Sequence, residues 1–129
     1  MTTWAEDELV RIGTADELDL SSLRADDTLR SPVTMWVVSV GGELYVRSVK
    51  GRTGPWFRGT QTRQAGRIQS GGVVKDVDFV NEVDAAVNEK IDAAYRQKYS
   101  RYPKSYVDAC VTEAARAATL KLVPRTTSG

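Results

Sequence analysis

Residues 44–75 carry Arg47, Lys50, Arg52, Arg58, Arg63, Arg67 and Lys75 without a single acid, although the whole chain has a net charge of only +1. A confined block of cations in an otherwise neutral chain suits an anion better than it suits general solubility. Arg47 and Ser48 are adjacent, and Lys50-Gly51-Arg52-Thr53-Gly54-Pro55 follows as a glycine-punctuated loop ending on a proline fit for the first position of a helix. Arginine forks, a hydroxyl and the open N–H groups of a helix start are the donors that hold a phosphate. Arg47, Ser48, Lys50 and Arg52 are therefore the candidate anion ligands. A competing reading pairs these cations with the first thirty residues, which hold eight acids against three bases.

Other chemistry is narrowed by what the composition lacks. With no histidine, the chain cannot use Ser-His-Asp or Cys-His nucleophiles, histidine haem ligation or histidine metal sites. The one cysteine, Cys110, has no partner for an intrachain disulfide and no ligand spacing around it, so an inert, buried thiol is expected. Asp76 and Asp78 share a strand face, but without a third ligand nearby a solvent-facing edge is expected rather than a metal site. Lys75 alternates with Val73, Val77 and Phe79 and so is expected on the inner face, reaching a cofactor cleft. Trp36, Tyr45 and Trp56 offer flat apolar faces for a ring, Trp36 and Tyr45 as substrate-pocket candidates and Trp56 beside the cofactor; core packing is the alternative for two of the three. The sequence isoelectric point of about 7.8 argues against nucleic acid as the partner.

The elements that must position these groups alternate between two periods. A capped helix is expected from Trp4 to Ile12, stopping at Gly13, and a strand within 15–23. Thr34 to Val40, Gly41-Gly42 and Glu43 to Val49 read as one hairpin, with Leu44, Val46 and Ser48 on one face and Tyr45, Arg47 and Val49 on the other. A short helix starts at Pro55, and a second hairpin pairs 67–69 with 73–80 across Gly71-Gly72. From Asn81 the period lengthens to that of a helix ending near Tyr99, with Asp92 four residues before Arg96. Tyr95, Tyr99, Tyr102 and Tyr106 are expected to be apolar cover or a dimer surface. A helical stretch over 106–117, a strand over 119–123 and a polar tail over 125–129 complete a single domain. About six short strands with flanking helices would close most economically as a small antiparallel barrel of the α+β class.

Trp36 to Ser48 resembles the central hairpin of FMN-binding split barrels. Tyr45-Val46-Arg47-Ser48, Gly51, Gly54, Trp56-Phe57-Arg58, Gly66-Arg67-Ile68 and Ile91 to Arg96 resemble more closely an uncharacterised bacterial family, a domain of unknown function beside the deazaflavin-dependent nitroreductases and pyridoxamine phosphate oxidases. The resemblance implies a split barrel whose Arg47, Ser48, Lys50, Arg52 and Arg58 hold the phosphate of FMN or a deazaflavin (F420), and a homodimer. It implies an oxidoreductase acting on a small organic molecule. The alternative is a cofactor-free barrel that binds a small molecule or acts as a lyase or cyclase in a biosynthetic pathway. The acidic opening, Met1 to Glu8, reverses the pattern of a secretory signal, and no apolar run is long enough for a membrane helix, so a cytoplasmic protein is expected.

Overall fold

The structure is a computed structural model that describes residues 3–125; the polar tail expected over 125–129 lies, from residue 126, outside the described residues. Helix α1 (Glu6–Thr14) leads into β1 (Leu18–Ser22), β2 (Val33–Met35), β3 (Val38–Val40) and β4 (Glu43–Arg47). A single 3-10 turn (Gly51–Thr53) precedes α2 (Pro55–Arg63), then β5 (Ala65–Ser70), β6 (Val73–Asn81), α3 (Ala85–Lys98), α4 (Lys104–Ala109), α5 (Glu113–Ala117) and β7 (Thr119–Pro124).

Both diglycine turns form as the sequence predicts. Gly41 and Gly42 adopt φ of +58° and +81°, the left-handed pair that lets Val40 oppose Glu43 across a two-residue turn. The run expected as one strand over 34–40 is instead two strands. Met35 pairs with Leu18 of β1, whereas Val38 pairs with Tyr45 of β4. Trp36 and Val37 leave the ladder because the last turn of α3 takes its place: Trp36 stacks on Tyr99 at 3.9 Å, Val37 N–H donates to the Tyr99 hydroxyl at 3.1 Å, and Lys98 Nζ donates to the Val37 carbonyl at 2.6 Å.

That break curls the sheet into a half-barrel. All seven strands form one antiparallel sheet in the order β2-β1-β5-β6-β7-β4-β3, which puts β2 and β3 at its opposite edges. Only Trp36 and Val37 join those edges, and three peptide steps reach at most about 11 Å. The sheet must therefore curl until its edges meet at this seam. Among the described residues, the result is a seven-stranded α+β split barrel rather than one of about six strands.

Two cores follow from the curl. Leu20, Leu44, Val46, Ile68, Phe79 and Leu122 fill the barrel, with Ile12 of α1 and Phe57 of α2 packed into the same cluster. Val38, Tyr45, Ile91, Tyr95, Tyr99 and Val107 form a second cluster between the outer face of β3 and β4 and helices α3 and α4. Strand β4 is thus covered on both faces, and Leu44 to Arg47 are all buried instead of alternating. Among the described residues no helix is long and apolar enough to cross a membrane.

Candidate functional site

The seven cations of residues 44–75 do not converge on one point. Arg63 pairs with Asp27, Lys75 with Glu8 at 2.8 Å, and Arg67 with Asp76 at 2.8 Å. Two of these acids, Glu8 and Asp27, belong to the acidic N-terminal segment, so that competing reading is realised for Lys75 and Arg63. Lys75 does share a strand face with Val77 and Phe79, but Glu8 holds it against α1, away from a cofactor cleft.

Arg47 is a core residue. Its Nε donates to Thr119 Oγ1 at 2.9 Å, Nη1 to the Asp92 carboxylate and the Cys110 carbonyl, and Nη2 to the carbonyl and side-chain oxygen of Asn88. A guanidinium has five N–H donors, and all five are taken. The expectation that Arg47 binds phosphate is corrected on that ground. Asp92, expected beside Arg96 along the helix, turns inward, and its second oxygen accepts from Arg116 Nε at 2.8 Å. Burial pushes the Asp92 carboxyl up, but the hydrogen bonds from Arg116 and Arg47 outweigh it and hold the group below the usual carboxylate range.

Three candidates remain at the start of α2. Lys50 and Arg58 are exposed and, among the described residues, have no ion-pair partner. Between them lies Gly54, the N-cap of α2, which has no side chain to cap the amides of the first turn, and Pro55 occupies the first helical position. Ser48 Oγ is buried and has no hydrogen-bond partner among the described residues. It lies 2.6 Å from where a Cβ on Gly54 would stand. A hydroxyl with no partner, seated against an uncapped helix start, with an unpaired cation four residues to either side of Gly54 in sequence, has the donor set of an anion site. Arg52 turns away from it, donating to the Ala117 carbonyl at 3.1 Å with its guanidinium over the Phe57 ring. Its expected place in this cluster is therefore corrected.

The helix start opens onto an apolar cavity of about 300 Å³ lined by Met35, Trp36, Val49, Trp56, Tyr106 and Cys110, among others. Trp56, in the first turn of α2, belongs to both. Trp36 lines the cavity too, with one face already stacked on Tyr99. Tyr45 does not line it. Its ring is packed in the second core, and burial, with Glu82 and Glu43 nearby, pushes its hydroxyl up to about 12. Sequence reasoning missed Met35, Val49, Tyr106 and Cys110 as cavity residues, because each is an ordinary side chain brought there by the seam, a turn and α4. Among the described residues no group of three or more potential ligands could hold a metal ion.

Burial pushes the Cys110 thiol up to about 11, with nearby Arg47 opposing it weakly. Only about one thiol in ten thousand is then ionised at pH 7. Labelling of the folded protein by iodoacetamide should be slow at pH 7 and accelerate towards pH 11. Rapid labelling at neutral pH would contradict this.

Residues 8–122 match the family described as "Uncharacterized protein conserved in bacteria (DUF2255)". The chain belongs to this family. No curated protein matches it. Solved structures share its fold: a pyridoxamine 5'-phosphate oxidase candidate from Listeria innocua superposes with a TM-score of 0.65 at 16% identity, covering 94% of this chain and 93% of that one. An F420-H2 dependent reductase gives 0.61 at 16% identity, over 84% of this chain and 93% of that one. HutZ, a haem storage protein from Vibrio cholerae, gives 0.63 at 11% identity, over 95% and 91%. At such identities the likeness establishes the split barrel, and the family member's own residues must carry any reading of its function.

Proposed function

We propose that this protein binds a phosphate-bearing flavin or deazaflavin, with the phosphate at the start of α2 and the ring in the adjoining cavity, and serves as an oxidoreductase on a small organic molecule. The observation that carries the reading is Ser48 Oγ, buried without a partner in the space that the missing Cβ of Gly54 leaves open. Ser48 and the uncapped amides of α2 would bond the phosphate, Lys50 and Arg58 would supply charge, and Trp56 and Trp36 would flank the ring. The bound group would supply the hydride chemistry, which is why the chain needs no histidine of its own. Names among its structural neighbours agree: two are F420 or F420-H2 reductases and one is a FAD-binding protein. A homodimer belongs to the same proposal, since exposed Val33 and the short edge strand β2 leave an edge to cover. Sedimentation as a concentration-independent monomer would remove that element.

A cofactor-free reading is favoured by the cavity volume, about 300 Å³, at the lower end of ligand sites. Ser48→Ala separates the two. If the hydroxyl waits for a phosphate, its removal should leave the unliganded protein as stable or more stable, because an unsatisfied buried group is lost, while weakening FMN about tenfold. Thermal melts with and without FMN read both effects. Destabilisation of the unliganded protein with FMN affinity unchanged would sink the phosphate assignment.

A further inference from the structure

A second cavity, of about 460 Å³, has a different character. Arg52 from the 3-10 turn and Arg116 from α5 stand on one wall, and these two elements pack against each other. Glu82, at the junction of β6 and α3, and Glu89 of α3 stand on the other. The lining is thus balanced in charge, yet among the described residues no ion pair crosses it. Arg116 is held from below by Asp92, and Arg52 has no carboxylate partner. Val83, 85% exposed, and Ala85 add apolar surface at the rim.

Opposite charges facing each other without pairing favour a ligand that brings both signs in the complementary order. A simple anion attracted to the arginines would meet two carboxylates, and a simple cation attracted to the glutamates would meet two guanidiniums. We propose that this cavity binds a small aliphatic zwitterion of the α-amino acid class, its carboxylate on Arg52 and Arg116, its ammonium on Glu82 and Glu89, and its side chain along Val83 and Ala85. The site is distinct from the flavin cavity and does not rest on that reading. Asn88 and Arg116 line it while bonding Arg47 and Asp92, so the buried ion pair forms its floor.

The test is a titration of the isotopically labelled full chain with L-leucine, leucinamide and 4-methylpentanoate, followed by amide NMR. The expected result is saturable leucine binding in the millimolar range, with shifts at Val83, Ala85, Asn88 and Ala117 and at least about tenfold weaker binding of both single-charge analogues. Glu89→Gln should weaken leucine severalfold and leave 4-methylpentanoate no weaker, and its unchanged spectrum elsewhere would show that it folds. Three results would overturn the proposal: no saturable shift with leucine up to about 50 mM, shifts centred elsewhere, or an analogue binding as tightly as leucine.

Discussion

Arg47→Ala is expected to destabilise the protein by about 3–5 kcal/mol, because it leaves Asp92 buried and short of one of its two guanidiniums. Thr119 Oγ1 and Asn88 Oδ1, both bonded to Arg47, would lose that partner as well. For a chain of this length the melting temperature should fall by roughly 10–20 °C. The double variant Arg47→Met/Asp92→Leu should recover much of the loss, since a well-packed apolar pair can replace a buried ion pair at little cost. Because Asp92 titrates below its ordinary value of 3.8, its contribution is full above that value and is lost as pH falls through the lowered one. Urea titrations of both variants measure the effect. Wild-type stability in Arg47→Ala, combined with lost flavin binding, would return Arg47 to the phosphate.

Gly66→Ala is expected to be nearly as damaging, by roughly 3 kcal/mol or more, through overpacking that no rotamer can relieve. Gly66 of β5 pairs with Ser22 of β1, and a Cβ there would lie 2.2 Å from the Ser21 carbonyl oxygen and 2.9 Å from Ser22 Cα. These are backbone atoms of a paired strand, so relief requires β1 to withdraw from its ladder with β5. Gly13→Ala is the natural control. Its Cβ would meet only Ser39 Cβ at an ordinary 3.5 Å, and the substitution lies in α1, where alanine should stabilise by up to about 1 kcal/mol. A neutral Gly66→Ala would mean that the two strands are not so closely paired.

Local chemistry in the sequence was enough to place the diglycine turns, the proline start of α2, the long helix and the last strand. The seam was not legible, because the partners that split 34–40 into two strands are Leu18 and Tyr45 on either side and the hydroxyl of Tyr99, which is 62 residues from Val37. The fate of Arg47 was hidden in the same way, its partners lying 45 residues away at Asp92 and 72 away at Thr119. One signal was available. Asn88 and Asp92 fall on the same helical face as Ile91 and Tyr95, and a carboxylate within an apolar stripe requires a buried cation. Ser48 and Trp56 could be singled out because the glycine loop and proline mark a helix start, whereas the cavity beside them is assembled from β2, β4, α2, α3 and α4.

Binding of a flavin-type phosphate at the start of α2 is measured by calorimetric titration of the wild-type protein with FMN, riboflavin and F420 at one fixed ionic strength. FMN or F420 should bind at sub-millimolar concentration, and riboflavin, lacking the phosphate, at least about tenfold more weakly than FMN. Equal binding of FMN and riboflavin, or no binding of FMN or F420 below about 1 mM, would contradict it.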